Sequence, residues 1–568
     1  MSISKFVAGA SVIAMGLAAS TQAYGETGSA NATETTAVEN GAIAELAGAP
    51  LFDGLGAYHR RITTANANAQ RYFDQGMVLA FGFNHAEAIR SFRAAQRLDP
   101  QCAMCFWGEA LATGPNINVT AKGKAVMSPE ERKSAFAAIG KAMDLRSTAS
   151  PAEQHLIEAQ AARYNGDPET GRESLDQAYS DAMGQYVAAH PNDDDASAIY
   201  AESLMNLMPW DYWSDAGLPR EDTRKVIAAL EKIIERSPDH PLALHLYIHA
   251  VEASETPGIA EDEADRLLDL VPASGHLVHM PAHIYWRIGR YDDAAKANIR
   301  AAMVDEEYIA ACNAQGFYPA LYYPHNIHFL WAATSMSGQS AMAIESARKL
   351  AANVRMEQIE QFPTVEFFKT IPLLTQVQFG RWDEILALTE PPTSRDYSRA
   401  IMNYARGLAL VHKGRVAEAQ VELDQLAQSK DSVQIRFLDS SDYPASVLLN
   451  IAHRLLAGEM ALEQGQNDKA IALFEEAVSL QDELPYMEPP FWYYPTRQSL
   501  GQALLVSDRA AEAESVYRQD LKDYPRNGWS MAGLIQALKV QGKATQKVET
   551  DFAVIWSKAD VDLEGSRF

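Results

Sequence analysis

Hydrophobic and polar positions along the chain fall into three regimes. Residues 1–23, MSISKFVAGASVIAMGLAASTQA, run apolar behind a single lysine and end on small residues. This pattern predicts a secretory signal peptide cut after Ala23, too short to serve as a membrane span. No cysteine follows the run, which argues against a lipoprotein anchor. Residues 24–50 carry almost no large apolar side chain and predict a flexible leader, because such a segment buries too little surface to offset chain entropy. From about residue 65 to 545 the apolar positions follow helical spacing in paired segments, with no strand-type alternation. No later stretch approaches the ~18 uninterrupted apolar residues of a membrane helix.

Three stretches interrupt the helical pattern. Residues 113–130 (TGPNINVTAKGKAVMSPE) read as a Gly/Pro/Asn loop between helices. Residues 209–222 (PWDYWSDAGLPRED), with two prolines and two tryptophans, read as an ordered insertion. Residues 310–324 (AACNAQGFYPALYYP) precede a histidine pair and read as a loop or lid over it. The expected division is then an N-terminal array over 51–200, a central histidine-rich array over 201–345 and a C-terminal array over 346–568.

The first clear unit is YFDQGMVLAFGFNHAEAIRSFRAAQRLDP. Its Gly76, Ala88, Phe92, Ala95 and Pro100 place small residues where two helices cross, an aromatic behind them and a proline at the end of the second helix. Those offsets resemble the tetratricopeptide repeat (TPR). The resemblance recurs in RIGRYDDAAKANIRAA, in ALEQGQNDKAIALFEEAVSL, and around Gly501, Ala513, Tyr517 and Pro525. It implies an all-α solenoid of about eight to ten helical hairpins with a concave groove. The stretch GHLVHMPAHIYWRIGRYDDAA with YPHNIHFL also resembles an uncharacterised group of exported bacterial TPR proteins, a likeness that implies no activity.

Composition narrows the function. A chain of 568 residues exceeds one compact core, and a repeat array escapes that limit because each unit packs only on its neighbours. The net charge of −25 disfavours nucleic acid and anionic lipid as partners, since both need basic patches.

Seven of the 14 histidines fall between residues 245 and 328: His245, His249, His276, His279, His283, His325 and His328. His245 and His249 share a helix face, as do His279 and His283, and the second pair lies 34 residues after the first. The TPR resemblance implies that repeat positions two, five and nine of a first helix face the groove, and all seven histidines fall on such positions. Adjacent packed helices lie about 8–10 Å apart, so imidazoles reaching inward can converge on one ion. Imidazole suits zinc, copper, iron and nickel alike. Glu252 could complete the ligand set or orient a histidine from behind, and Tyr322 and Tyr323 could wall the site. There is no HExxH motif, and Leu246 stands where it would put its base.

Cys102 and Cys105 form a CAMC right after Pro100, read as a disulfide or, with Met104 between them, a soft metal site. Cys312 reads as a free or buried thiol in a loop. No phosphate loop, nucleophile elbow or paired-carboxylate signature is present. Two readings follow. One is an exported, periplasmic protein binding a transition metal through the histidines, as store, carrier or metalloenzyme. The other is a scaffold holding a protein or peptide partner in the concave groove.

Overall fold

The structure, a computed structural model, describes residues 40–121, 124–167, 170–214, 216–312 and 318–568. The signal peptide expected over 1–23 lies outside the described residues, as does the leader up to residue 39. The chain divides into two compact units, Met1–Leu51 and Phe52–Phe568. In the first, residues 40–47 are helical where composition predicted a flexible leader; Ala, Leu and Glu in this short stretch are good helix formers.

The second unit is an all-α stack of helical hairpins. The opening hairpin pairs Ala67–Phe81, capped by the Asn66 side chain, with His85–Leu98. Its helices cross closely because Gly76 has no side chain: a Cβ there would lie 2.7 Å from the Phe92 ring. Gly108, on the next helix Ala103–Thr113, meets the same ring from the other side, where a Cβ would lie at 2.3 Å. Tyr517 is held between Gly501 and Gly533 in the same way, again at intervals of sixteen residues. Each aromatic is a wedge driven between two glycines of successive units, and this locks one hairpin to the next.

The hairpin turns share a second device. Gly289, Gly338, Gly380, Gly414, Gly465 and Gly542 adopt φ between 64° and 77°. The residue after each donates its N–H to the carbonyl five residues back, as Arg290 does to Tyr285 at 2.7 Å and Gln466 to Ala461 at 2.8 Å. This is the left-handed helix terminus for which glycine carries no steric penalty.

The interruptions resolve differently. Residues 113–130 contain a ladder of Thr120–Ala121 against Lys124–Ala125, two residues a side and too short to leave a period in the sequence. The described residues of 209–222 are held in place, with Trp213 donating its indole N–H to Ala250 O at 2.8 Å. The lid expected over 310–324 is largely helical. Tyr291–Cys312 carries helix through its first residues, and Tyr318–Tyr322 forms a π-helical turn running into Tyr323–Met336; residues 313–317 lie outside the described residues. Cys312 therefore lies in a helix instead of in a loop. Among the described residues no helix is long and apolar enough to cross a membrane.

Remote segments close over the central hairpins. Trp529 donates its indole N–H to Ser335 O at 2.9 Å, Tyr291 its hydroxyl to Pro525 O at 3.0 Å, and Asp560 its N–H to Gly338 O at 3.1 Å. From the other end, Ala273 N donates to Gly54 O at 3.0 Å. The central hairpins are thus bonded to parts of the chain far away in sequence.

Candidate metal centre

Four helices carry the histidines. Pro241–Val251 is buried on every side, and its first turn is closed by Ala243 N donating to His240 Nδ1 at 3.2 Å. An all-buried helix lies at the centre of a protein, so the polar groups on it need partners. Gly275–His279 and Pro281–Arg287 follow one another, and Tyr323–Met336 brings His325. Gly275 is required where it stands, because a Cβ there would overlap the buried Asp305 carboxyl. That carboxyl accepts hydrogen bonds from Tyr318 and Asn326 at 2.8 and 2.7 Å and so ties the π-helical turn and the His325 helix to the hairpin beneath.

The anchoring of the imidazoles is systematic. His245 Nδ1 lies 2.6 Å from Phe81 O, His249 Nδ1 2.8 Å from Glu252 Oε1, and His279 Nδ1 2.7 Å from Asn298 Oδ1. His283 Nδ1 lies 2.5 Å from Glu252 Oε2 and also contacts Glu488. Every partner is an acceptor, so each Nδ1 carries the proton and Nε2 is left to face inward. The Nε2 atoms of His276 and His245 stand 3.2 Å apart, and those of His279 and His283 only 2.8 Å. His325 completes the arc, its ring 4.8 Å from that of His279 and 5.8 Å from that of His283. Three sets of possible ligand atoms lie within 4.8 Å of one another: His245 with His249 and His276, His279 with His283 and His325, and His249 with Glu252 and His283.

Burial sets the electrostatics. It holds His245, His276, His279 and His325 well below the ordinary imidazole pKa, with neighbouring histidines adding repulsion, and brings His249 down to about 3. His283 is the exception. Desolvation opposes its charge, yet the Glu252 and Glu488 carboxylates lift it to about 10. Burial and the nearby Glu252 raise Glu488 to about 7.

The cluster opens on a cavity of about 210 Å³ walled by Trp210, Leu321, Tyr322, Met487 and Glu488 together with His249, His276, His283 and His325. Phe83 packs against three of the imidazoles, 4.5 Å from His245, 5.3 Å from His276 and 6.3 Å from His249. It adopts φ 56°, the left-handed slot that glycine fills in other hairpin turns. A bulky residue is costly there, and the ring it delivers caps the cluster.

Not every residue singled out by the sequence converges. His328 stands apart, stacked on Trp331 at 5.1 Å and beside Phe367 and Phe368. At each joint, position five of one unit meets position two of the next: His245 meets His276, and His279 meets His325. His328 is the next position five, and the following helix offers it phenylalanine. Tyr322 lines the cavity and accepts from Asn118 Nδ2 at 2.9 Å, whereas Tyr323 turns away to donate to Glu306 at 2.7 Å. Glu252 lies behind the ligands, one oxygen on each of two imidazoles. Cys102 and Cys105 are joined in a disulfide at the start of Ala103–Thr113, and no histidine cluster includes them. Glu488, Asn298, Phe81 and Phe83 were not readable as site residues, since no spacing ties them to the histidines.

The tetratricopeptide-repeat family profile matches residues 454–483. No curated protein matches the sequence. Among solved structures, the human IFIT1 dimer with m7Gppp-AAAA is 12% identical, at a TM-score of 0.31 over 88% of this chain and 91% of that one. The APC/C hetero-tetramer Cut9-Hcn1 is 13% identical, at 0.29 over 87% and 76%. Yeast Tom70 is 11% identical, at 0.26 over 86% and 92%. These similarities attach no ligand or partner to this chain. What the repeat match and the stacked hairpins establish together is an all-α array of the tetratricopeptide-repeat kind.

Proposed function

We propose that the central hairpins bind a transition-metal ion (zinc, copper or iron) through Nε2 of His279, His283 and a ring nitrogen of His325. The observation carrying this reading is the 2.8 Å approach of the His279 and His283 Nε2 atoms. Both rings commit Nδ1–H to fixed acceptors, so two lone pairs confront each other in a buried site. A cation relieves that repulsion. In the metal-free chain it is a proton on His283, sustained by the two carboxylates; a metal ion is the alternative that three neutral imidazoles suit. Glu252 and Asn298 fix the tautomers from behind, as carboxylate and carbonyl partners do for metal-bound histidines. The cavity side leaves a coordination position for water or substrate, which suits catalysis as well as storage or transport.

The test is metal content. Full-length protein, purified and then incubated with Zn²⁺ or Cu²⁺, should retain tightly bound metal, and His279→Ala and His283→Ala should each retain less. Wild-type protein that retains none under either ion sinks the reading.

The repeat fold and the match over 454–483 support a protein-interaction array more broadly than they support any metal. On that reading a partner binds the exposed faces of the stack, because the histidines are too deeply buried to touch one. Crosslinking in the native host that captures one partner, lost on mutating the exposed faces and kept in the histidine variants, would favour it. Export on residues 1–23 belongs to both readings, and sequencing the mature amino terminus tests it.

A further inference from the structure

The histidines form two triads, and one triad alone does not account for the arrangement. We infer that the cluster holds two metal ions, the second on His245, His249 and His276; the inference rests on the metal-binding reading above.

The ligand atoms of this second triad satisfy the same mutual limit of 4.8 Å as the first. Its members are prepared in the same way, with His245 Nδ1–H donated to Phe81 O and His249 Nδ1–H to Glu252. Two of its nitrogens, His249 Nε2 and His276 Nδ1, are buried without a hydrogen-bond partner. Leaving a buried polar atom unpaired is unfavourable, so both nitrogens are free to take a ligand. A single ion on His279, His283 and His325 leaves His249 Nε2 in that condition.

Glu252 couples the triads. Its Oε1 takes the proton of His249 from one set and its Oε2 that of His283 from the other, so one buried carboxylate orients a ligand of each ion. Both triads reach the same cavity, through His249 and His276 on one side and His283 and His325 on the other. Two ions facing a shared space of about 210 Å³ would clamp a small oxygen donor between them, such as water, hydroxide or a carboxylate. Six neutral imidazoles without a thiolate form a donor set for copper, zinc, iron or nickel and not for magnesium or calcium.

The experiment counts ions. Full-length protein is stripped with a chelator, titrated with Zn²⁺, freed of unbound metal and analysed for metal per chain, with circular dichroism to check helix content. Wild type should saturate at two. The pair His245→Asn with His276→Asn should retain one ion, as should the pair His279→Asn with His325→Asn. Wild type saturating at one overturns the second site and leaves the first standing; binding none overturns both. A wild type that binds two, with either folded double variant binding none, overturns the assignment to separate triads. The wild-type count decides the main question even if a variant fails to fold.

Discussion

Replacing Glu252 by glutamine tests the architecture behind the ligands. The side chain is wholly buried, and its two oxygens accept the Nδ1 protons of His249 and His283 at 2.8 and 2.5 Å. Glutamine has nearly the same shape, but one oxygen becomes an amide NH₂. It can accept from only one imidazole and presents a donor to the other. His283 keeps a second acceptor in Glu488, whereas His249 has no other. The amide therefore turns its oxygen to His249 and its NH₂ to His283, so the loss falls on His283, whose Nδ1–H is left with Glu488 alone to hold the ring and its Nε2 in place. Losing such a supporting acceptor weakens metal binding by about 10–100-fold, which is about 1.4–2.7 kcal/mol. Glu488→Gln should cost much less, since Glu252 still holds His283. Competition titrations against a chromophoric chelator at pH 7.5 measure both ratios. A Glu252→Gln protein that binds metal within about threefold of wild type refutes the reasoning, as does Glu488→Gln being the more damaging change.

Three further outcomes are expected. Because the folded apo protein keeps a proton on His283 up to about pH 10, metal entry must release it. Apparent affinity at the His279, His283 and His325 site should then rise by about tenfold per unit between pH 7 and 9, and calorimetry in buffers of different ionisation enthalpy should detect about one proton released per chain. The remaining cluster histidines are held neutral by burial, so they should not weaken binding until the pH is well below 6. His328→Gln should leave metal stoichiometry unchanged, since that ring stacks on Trp331 away from the cluster; loss of metal in this folded variant would contradict the geometry. In urea unfolding, Gly76→Ala should destabilise by about 1–3 kcal/mol by overpacking against Phe92. Gly140→Ala, in open space within the helix Pro129–Leu145, should instead stabilise by about 0.5–1 kcal/mol.

The hairpin repeat was legible because its devices are local. Gly76 and Phe92 are sixteen residues apart, and glycine marks most of the turns, so both leave a period in the sequence. The two histidine pairs were legible for the same reason. What was not legible comes from far along the chain. Phe81 lies 164 residues before His245, and Glu488 follows His283 by 205, in an EPPFWYY stretch with no helical period. His328 shows the opposite failure. Its repeat position is correct, but a position is only half of a joint, and the partner half is Phe368 where a histidine would be needed. The role of Glu252 was bounded without being decided, because i,i+3 spacing to His249 allows both ligation and support.

The reach of Glu488 into the histidine cluster has a consequence for biogenesis. During synthesis all six imidazoles of the cluster leave the ribosome before Glu488, so an early chain holds the ligands with one flank of the site unbuilt. An ion captured then would sit in a half-finished, solvent-open pocket and exchange freely. Secure loading would follow only once the later hairpins had docked, so that tight retention of metal would report that the chain had been completed and correctly assembled.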